Sequence, residues 1–131
     1  MADGPNLFRV TLEVAALDKA VAFYSRLMGA KGQRIHGNRH NFDCGPVALP
    51  LVDPTGAGGK PRPTPDYVYF WVNDIDQIHA RARGLGCLSR EIVHGESAGE
   101  VVSRPWGERS FYADDPFGNA LCFVDTRAGR S

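Results

Sequence analysis

The chain has 131 residues, of which 43% are hydrophobic and 23% are charged, and this composition is typical of one globular domain rather than of a disordered segment. The 15 Lys and Arg residues balance the 15 Asp and Glu residues, so charge favours neither nucleic acid nor an anionic membrane as a partner. The three cysteines are too widely spaced for a disulfide framework or a zinc knuckle, no signal peptide is evident, and no apolar run approaches the roughly 20 residues of a membrane helix. We therefore expect one cytoplasmic domain over residues 1–131, whose partner is a small molecule or a second copy of the chain.

The chain opens with a strand followed by a helix. Apolar and polar residues alternate over residues 7–14, which predicts a strand with one face on a core. The apolar face carries Phe8, Val10, Leu12 and Val14, and the polar face carries Arg9, Thr11 and Glu13. Residues 15–32 then contain apolar side chains at helical spacing, and Gly29 is suited to the helix C-terminus.

Three strands and a linker follow the helix. Residues 33–44 are expected to fold back across Gly37-Asn38, a two-residue hairpin signal, and residues 47–52 predict one further strand. Residues 53–65 are nearly all Gly, Pro, Thr and charged residues, so they predict a linker. The first module therefore spans residues 7–52.

The same order of elements begins again after the linker. Residues 67–72 predict a strand, and Asn73 is a suitable N-cap for a helix that starts at Asp74. A shift of 58 residues superposes this strand and helix on those of the first half. Because each half alone is too small to bury its apolar faces, the repeat indicates two modules of strand, helix and three strands, the second over residues 66–125.

A further strand, a loop and a hairpin complete the second module. We expect the strand at residues 88–94 and a mobile loop at residues 95–104, where local pairing of Val101-Val102 is left open. The hairpin turns between Asp114 and Asn119, because Pro116 presets φ for a turn and Gly118 accepts a positive φ.

Several of these segments resemble the vicinal oxygen chelate superfamily, which includes glyoxalase I, extradiol dioxygenases, fosfomycin-resistance enzymes and bleomycin-resistance proteins. The resemblance covers about residues 7–125. Its most specific parts are Leu17-Asp18, Ala22-Phe23-Tyr24 and Asp115-Pro116-x-Gly118-Asn119, where x is any residue. The resemblance implies an α+β fold of tandem βαβββ modules, in which each curled mixed sheet carries a helix on its convex face. The sheets form a cup, usually completed or swapped in a dimer.

The metalloenzymes of this superfamily bind a divalent metal on the first and last strand of each module. The equivalent positions here, found by counting from the motifs, are Arg9, Leu49, Tyr67 and Cys122. Arg and Leu are not metal ligands, Tyr rarely is, and one Cys does not make a site. The resemblance is therefore closest to the metal-free branch, which the bleomycin-resistance proteins exemplify.

Alternation predicts a binding face in the second module. If Val68, Phe70 and Val72 face the helices, the aromatic residues between them face the other way. Such a wall suits a ligand with a flat or cationic body, and a nearby Arg9 could hold a carboxylate or phosphate. The alternative is that these aromatic side chains pack in a dimer interface. The predicted ligand-binding residues are Arg9, Glu13, Tyr67, Tyr69, Trp71, Trp106, Tyr112 and Cys122, and whether Ser110 and Tyr112 or Phe111 and Ala113 face the pocket is left open.

The histidines and cysteines do not indicate catalysis. His36 and His40 flank the first hairpin turn, where His40 is expected to oppose Ile35, so that the two imidazoles point to opposite faces. His79 lies on the apolar face of its helix and is expected to be structural. Cys122 is expected to be a small buried hydrophobe rather than a nucleophile.

We therefore predict a homodimeric protein that binds a small aromatic or cationic molecule in the cup, without a cofactor, by sequestration or transport. One alternative is a metal-dependent lyase, isomerase or dioxygenase that uses Glu13, Glu108 or a relocated His. The other is a non-catalytic dimeric interaction module with a closed cup. No catalytic residue is assigned.

Overall fold

The computed structural model describes residues 4–126, and residues 12–52 form the first of two four-stranded sheets with its helix. Its strands are β1 (Leu12–Glu13), β2 (Gln33–His36), β3 (Arg39–Cys44) and β4 (Val47–Val52), and helix α1 (Leu17–Met28) connects β1 to β2. The strand order is β1-β4-β3-β2, and β1 runs parallel to β4 while the other neighbours are antiparallel. Gly29 ends α1 in the left-handed conformation, with φ of 68°.

The second sheet repeats this arrangement. Its elements are β5 (Val68–Trp71), α2 (Ile75–Leu85), β8 (Val102–Ser103), β9 (Glu108–Asp114) and β10 (Ala120–Thr126), with a separate small hairpin of β6 (Ile92–Val93) and β7 (Glu96–Ser97). The order is β5-β10-β9-β8, and β5 runs parallel to β10. The predicted tandem βαβββ fold is therefore confirmed. Among the described residues, neither helix is long and apolar enough to cross a membrane.

Helices α1 and α2 contact each other; α1 packs on β3 and β4, and α2 packs on β9 and β10. Leu12 and Leu51 of the first sheet belong to the same buried cluster as Phe111 and Phe123 of the second. One apolar core therefore joins both halves of the chain, and each sheet buries the face that carries its helix.

The turn at residues 115–119 is the main polar connection between the halves. Asp115 is buried, and its carboxylate accepts hydrogen bonds from the Tyr24 hydroxyl at 2.7 Å and from the Asn119 backbone and side-chain nitrogens at 2.8 Å each. The Asn119 side chain also donates to the Glu13 carbonyl at 3.1 Å and accepts from the Thr64 amide at 3.0 Å. The motif therefore ties the closing hairpin to α1, to β1 and to the linker.

The strand predicted at residues 88–94 is wrong. Only an isolated bridge joins Leu88 to Ala113, after which the chain leaves the sheet and forms the β6–β7 hairpin. The chain then returns at Ala98, so the Tyr112 amide donates to the Ala98 carbonyl at 2.7 Å while the Tyr112 carbonyl accepts from the Ser89 amide at 3.0 Å. The backbone N–H and C=O of Tyr112 are therefore both hydrogen-bonded although the edge strand is interrupted. Residues 102–103, which were predicted to lie in a loop, form β8.

Three local expectations also need correction. His40 lies opposite Arg34 and not Ile35, because a bulge shifts the register of the β2–β3 hairpin. The N-cap of α2 is Asp74 and not Asn73, because the Asp74 carboxylate accepts the Gln77 amide at 3.1 Å. Phe8 does not join the core, because it lies before the start of β1 and is 67% exposed.

Candidate functional site

The second sheet has one face turned away from the helices, which we call the tyrosine face. It carries Tyr67, Tyr69, Trp71, Ser110, Tyr112, Cys122 and Val124. The register places Tyr69 beside Cys122 and Cys122 beside Tyr112, whereas Phe111 and Phe123 point into the core between the sheets. The question left open by the sequence is therefore answered: Ser110 and Tyr112 share the tyrosine face, and Phe111 and Ala113 do not.

Three tyrosines form a continuous aromatic wall on this face. The ring centroids of Tyr67 and Tyr112 lie 4.7 Å apart with an interplanar angle of 59°, and those of Tyr67 and Tyr69 lie 6.5 Å apart at 68°. Tyr112 is 5% exposed, Tyr67 is intermediate, and Tyr69 is 61% exposed. The wall thus leads from solvent to a buried ring, an arrangement that suits the stacking of a flat molecule.

The groups deepest in the wall are uncharged at neutral pH. Burial raises the pKa of Tyr112 to about 12 and the pKa of Cys122 to about 12. The Cys122 thiol is therefore protonated and is a poor nucleophile, since the thiolate is the reactive form. Tyr112 and Cys122 therefore offer apolar contact and neutral hydrogen-bonding groups rather than acid–base chemistry.

A buried arginine that the sequence analysis missed lies on the same face. The side chain of Arg104 is only 2% exposed, and its Nε donates to the Ser110 hydroxyl at 3.0 Å. Its Cζ lies 5.7 Å from the centroid of the Tyr112 ring, and its Nη1 lies 3.9 Å from Glu96 Oε2. Nη2 is buried and has no hydrogen-bond partner among the described residues. Arg104 lies on this face because Val102 pairs with Ser110 and alternation along β8 continues to Arg104, a register that no local sequence pattern indicates.

The β6–β7 hairpin covers part of the tyrosine face. Val93 and Ala98 pack against a small buried cluster that contains Tyr112 and Cys122. At the hairpin tip, His94 has a positive φ of 53° and Gly95 has a positive φ of 79°, as the two central residues of a type I′ turn require. The hairpin therefore lies over the buried end of the aromatic wall.

Trp106, predicted as a ligand-binding residue, lies at the rim in the turn between β8 and β9. Its ring contacts His94 with centroids 5.3 Å apart and an angle of 72°, and its Nε1 donates to Glu108 Oε1 at 2.9 Å. Trp106 is exposed and holds the hairpin tip rather than contacting the three tyrosines.

Arg9 and Glu13 lie on the first sheet and are not brought to this wall within the chain. The guanidinium of Arg9 lies 4.7 Å from the ring centroid of its neighbour Phe8. The Glu13 carboxylate accepts the Arg62 amide at 2.9 Å and pairs with its guanidinium at 3.5 Å. Within residues 4–126, neither side chain has a hydrogen bond or ion pair with a residue of the tyrosine face.

The donor set for a metal is poor. The four positions that correspond to metal ligands in the superfamily hold Arg9, Leu49, Tyr67 and Cys122, and this set does not fit a divalent cation. Residues 4–126 contain no cluster of three or more His, Cys, Asp or Glu side chains that could hold a metal ion. The residues at these positions therefore do not support metal-dependent chemistry.

The histidines are engaged in structural contacts. His40 Nε2 lies 2.9 Å from the Lys31 carbonyl oxygen, and His79 Nε2 lies 2.8 Å from the Gly99 carbonyl oxygen. The His79 ring also packs edge-on against Phe111, at 4.9 Å between centroids. His79 is buried, as predicted, and it ties the segment after β7 to α2.

A second concavity lies between the two sheets. It has a volume of about 640 Å³ and is mainly apolar, with Val10, Val47 and Leu49 on one side and Tyr69 and Trp71 on the other. Tyr69 and Trp71 thus border both this groove and the tyrosine face. The groove follows β5, which is an edge strand of its sheet.

Comparisons with known proteins agree with this fold. A family model described as Glyoxalase/Bleomycin resistance protein/Dioxygenase superfamily matches residues 6–123. No curated protein matches the sequence.

Three similar solved structures illustrate the range of the fold. Oxidase ChaP-H1 is 22% identical with a TM-score of 0.76, covering 97% of this chain and 100% of that chain. Lactoylglutathione lyase from Agrobacterium tumefaciens is 22% identical with a TM-score of 0.65, covering 95% and 96%. TioX from Micromonospora sp. ML1 is 22% identical with a TM-score of 0.65, covering 93% and 99%. At these identities the structures share a fold, and their activities do not transfer to this chain.

Proposed function

Because the chain belongs to the Glyoxalase/Bleomycin resistance protein/Dioxygenase superfamily, we propose that it is a metal-independent cytoplasmic protein that binds a small aromatic or cationic molecule on its tyrosine face. The observation that carries the proposal is the wall of Tyr67, Tyr69 and Tyr112, which runs from solvent to a buried ring. Aromatic rings in such a wall stack on flat ligands and attract cations. The resulting activity is sequestration or resistance, with no reaction catalysed.

The donor set supports binding rather than metal-dependent chemistry. Under the enzymatic alternative, Glu13, Glu108 or a relocated His would bind the metal. Glu13 is held by Arg62, and Glu108 is held by the indole of Trp106. No described cluster of metal donors replaces them. The enzymatic alternative therefore has no observation in its favour.

We also propose that the protein is a homodimer. β1 and β5 are edge strands of their sheets, and exposed edges with apolar neighbours are sites of pairing. Leu7, Phe8 and Trp71 are exposed near these edges. A second copy seated on the groove beside β5 would bring residues 9–13 of the partner, including the side chains at positions 9 and 13, towards the tyrosine face. Sedimentation equilibrium tests this directly, and a monomer at all concentrations would contradict it.

Calorimetric titration with a panel of flat aromatic and quaternary ammonium compounds tests the binding proposal. We expect at least one compound to bind. Tyr67→Ala should lower the affinity for that compound by ~5-fold or more, because the stacking contact is lost. Ile35→Ala is the matched control, because it removes an exposed apolar side chain from β2, at the edge of the first sheet opposite β1. If no compound binds and Tyr67→Ala alters only the dimer, the protein is an interaction module instead. Near-stoichiometric Mn, Fe, Ni or Zn in untagged protein would contradict the metal-free proposal.

A further inference from the structure

Arg104 is a buried cation whose hydrogen-bonding capacity is only partly used. Its side chain is 2% exposed, Nε is bonded to Ser110, and Nη2 has no partner among residues 4–126. Buried guanidinium groups are normally paired and fully hydrogen-bonded, since an unpartnered buried donor is costly. An unused donor at the base of an aromatic wall is therefore evidence for a ligand that completes it.

The nearest carboxylate in the chain does not complete it. Glu96 Oε2 lies 3.9 Å from Nη1, which is longer than a hydrogen bond, and the Glu96 side chain is 56% exposed. Glu96 thus offsets the charge of Arg104 from a distance and leaves Nη2 unsatisfied. Planar oxyanions match the guanidinium fork through two parallel hydrogen bonds, which this pair does not form.

The surroundings of Arg104 fit an anionic group attached to a flat body. The guanidinium lies against the Tyr112 ring, with Cζ 5.7 Å from its centroid, and Tyr67 continues the wall at 4.7 Å from Tyr112. A ring stacked on Tyr67 would direct a substituent towards Arg104. Access requires the β6–β7 hairpin to lift. Ile92, Glu96 and Ser97 of its strands are exposed, and Val93 is the strand residue that packs against the buried cluster, so lifting disrupts few buried contacts.

We propose that Arg104 binds a carboxylate of the ligand, so that the molecule recognised on the tyrosine face is an aromatic carboxylate. This inference rests on the proposed binding function and narrows it from aromatic or cationic compounds to anionic aromatic ones. The ligand carboxylate takes the unused Nη2 donor together with Nη1, and the Glu96 carboxylate moves away into solvent.

Calorimetric titration with 2-naphthoate and 2-naphthamide, which differ in charge at one planar group, tests the proposal. We expect the full-length protein to bind 2-naphthoate ~10-fold or more tightly than 2-naphthamide, the difference typical of a charge-assisted hydrogen bond. In Arg104→Gln this preference should disappear, and in Arg104→Lys part of it should remain. Arg90→Gln is the matched control, because Arg90 is exposed at the start of the same excursion from the sheet.

Glu96→Gln keeps the test decisive if the Arg104 variants do not fold, because Glu96 is exposed. Removing this competing carboxylate should raise the affinity for 2-naphthoate several-fold and leave that for 2-naphthamide unchanged. Equal affinities of the wild-type protein for the two compounds would overturn the carboxylate proposal alone and leave the aromatic site standing. Binding of neither compound would overturn this proposal, and the proposed function falls with it if the panel of flat aromatic and quaternary ammonium compounds also shows no binding.

Discussion

Tyr24→Phe removes the hydroxyl that joins α1 to the closing hairpin. That hydroxyl donates to Asp115 Oδ2 at 2.7 Å, and both residues are buried. Burial, followed by the charge of Asp115, raises the pKa of Tyr24 well above its ordinary value, so the hydroxyl remains a donor throughout the working range of pH. The substitution leaves Oδ2 with only the Asn119 side-chain donor among the described residues.

We expect Tyr24→Phe to lower the free energy of unfolding by about 1.5–3 kcal/mol, the value of a hydrogen bond to a buried charged group. The change creates no cavity larger than the hydroxyl and leaves the ring contact with Phe23 in place. Urea unfolding at fixed protein concentration measures it, because a dimer would make stability concentration-dependent. Melting temperature should fall by roughly 4 °C for each kcal/mol in a chain of this size.

Tyr67→Phe is the matched control, since the Tyr67 hydroxyl makes no hydrogen bond within residues 4–126, and it should change stability by less than ~0.5 kcal/mol. A double-mutant cycle of Tyr24→Phe with Asp115→Asn should give a coupling energy of ~1–2 kcal/mol. A loss of less than ~0.5 kcal/mol in Tyr24→Phe, or additive effects in the cycle, would refute the claim that this contact joins the two modules.

Two further predictions follow from the cysteines. At pH 8, Ellman's reagent should modify Cys44 first and leave Cys87 and Cys122 largely unreacted in the native protein. Burial raises the pKa of all three thiols, but Cys44 is only half-buried, whereas burial raises the pKa of Cys87 to about 11 and that of Cys122 to about 12. Prompt reaction at Cys122, read by mass spectrometry with Cys122→Ser as reference, would contradict this. Both buried thiols keep their protons in the folded chain above their ordinary pKa of 9, while the unfolded chain loses them. The contribution of these two thiols to the free energy of unfolding should therefore be constant below pH 9 and should fall as the pH rises from 9 towards 11. Thermal melts over that pH range measure this change. A rise in stability over the same range would contradict the raised pKa values of the two thiols.

The sequence predicted those elements in which apolar residues recur at a clear helical or strand spacing. The β2–β3 hairpin around Gly37-Asn38 and α1 ending at Gly29 were found because local turn chemistry and helical spacing agree. Alternation over residues 67–72 also separated the tyrosines from Phe70, which stacks on Phe123 in the core.

The sequence could not predict features that depend on tertiary pairing. The segment between Ser89 and Ala98, which leaves the sheet, has no periodic pattern in its sequence. Its position depends on the backbone hydrogen bonds that Ser89 and Ala98 form with Tyr112. Arg104 was missed for the same reason: its side chain faces the tyrosines only because β8 pairs with β9. The bond between Tyr24 and Asp115 joins residues 91 apart in the chain, and no local pattern encodes it.

A crystal structure of the protein with 2-naphthoate would locate the ligand on the tyrosine face. We expect electron density for the naphthyl ring against Tyr67 and Tyr112, with a carboxylate oxygen about 2.7–2.9 Å from Arg104 Nη2 and the Glu96 side chain displaced. Density only in the groove between β4 and β5, or a ring on the tyrosine face with its carboxylate directed away from Arg104, would contradict it.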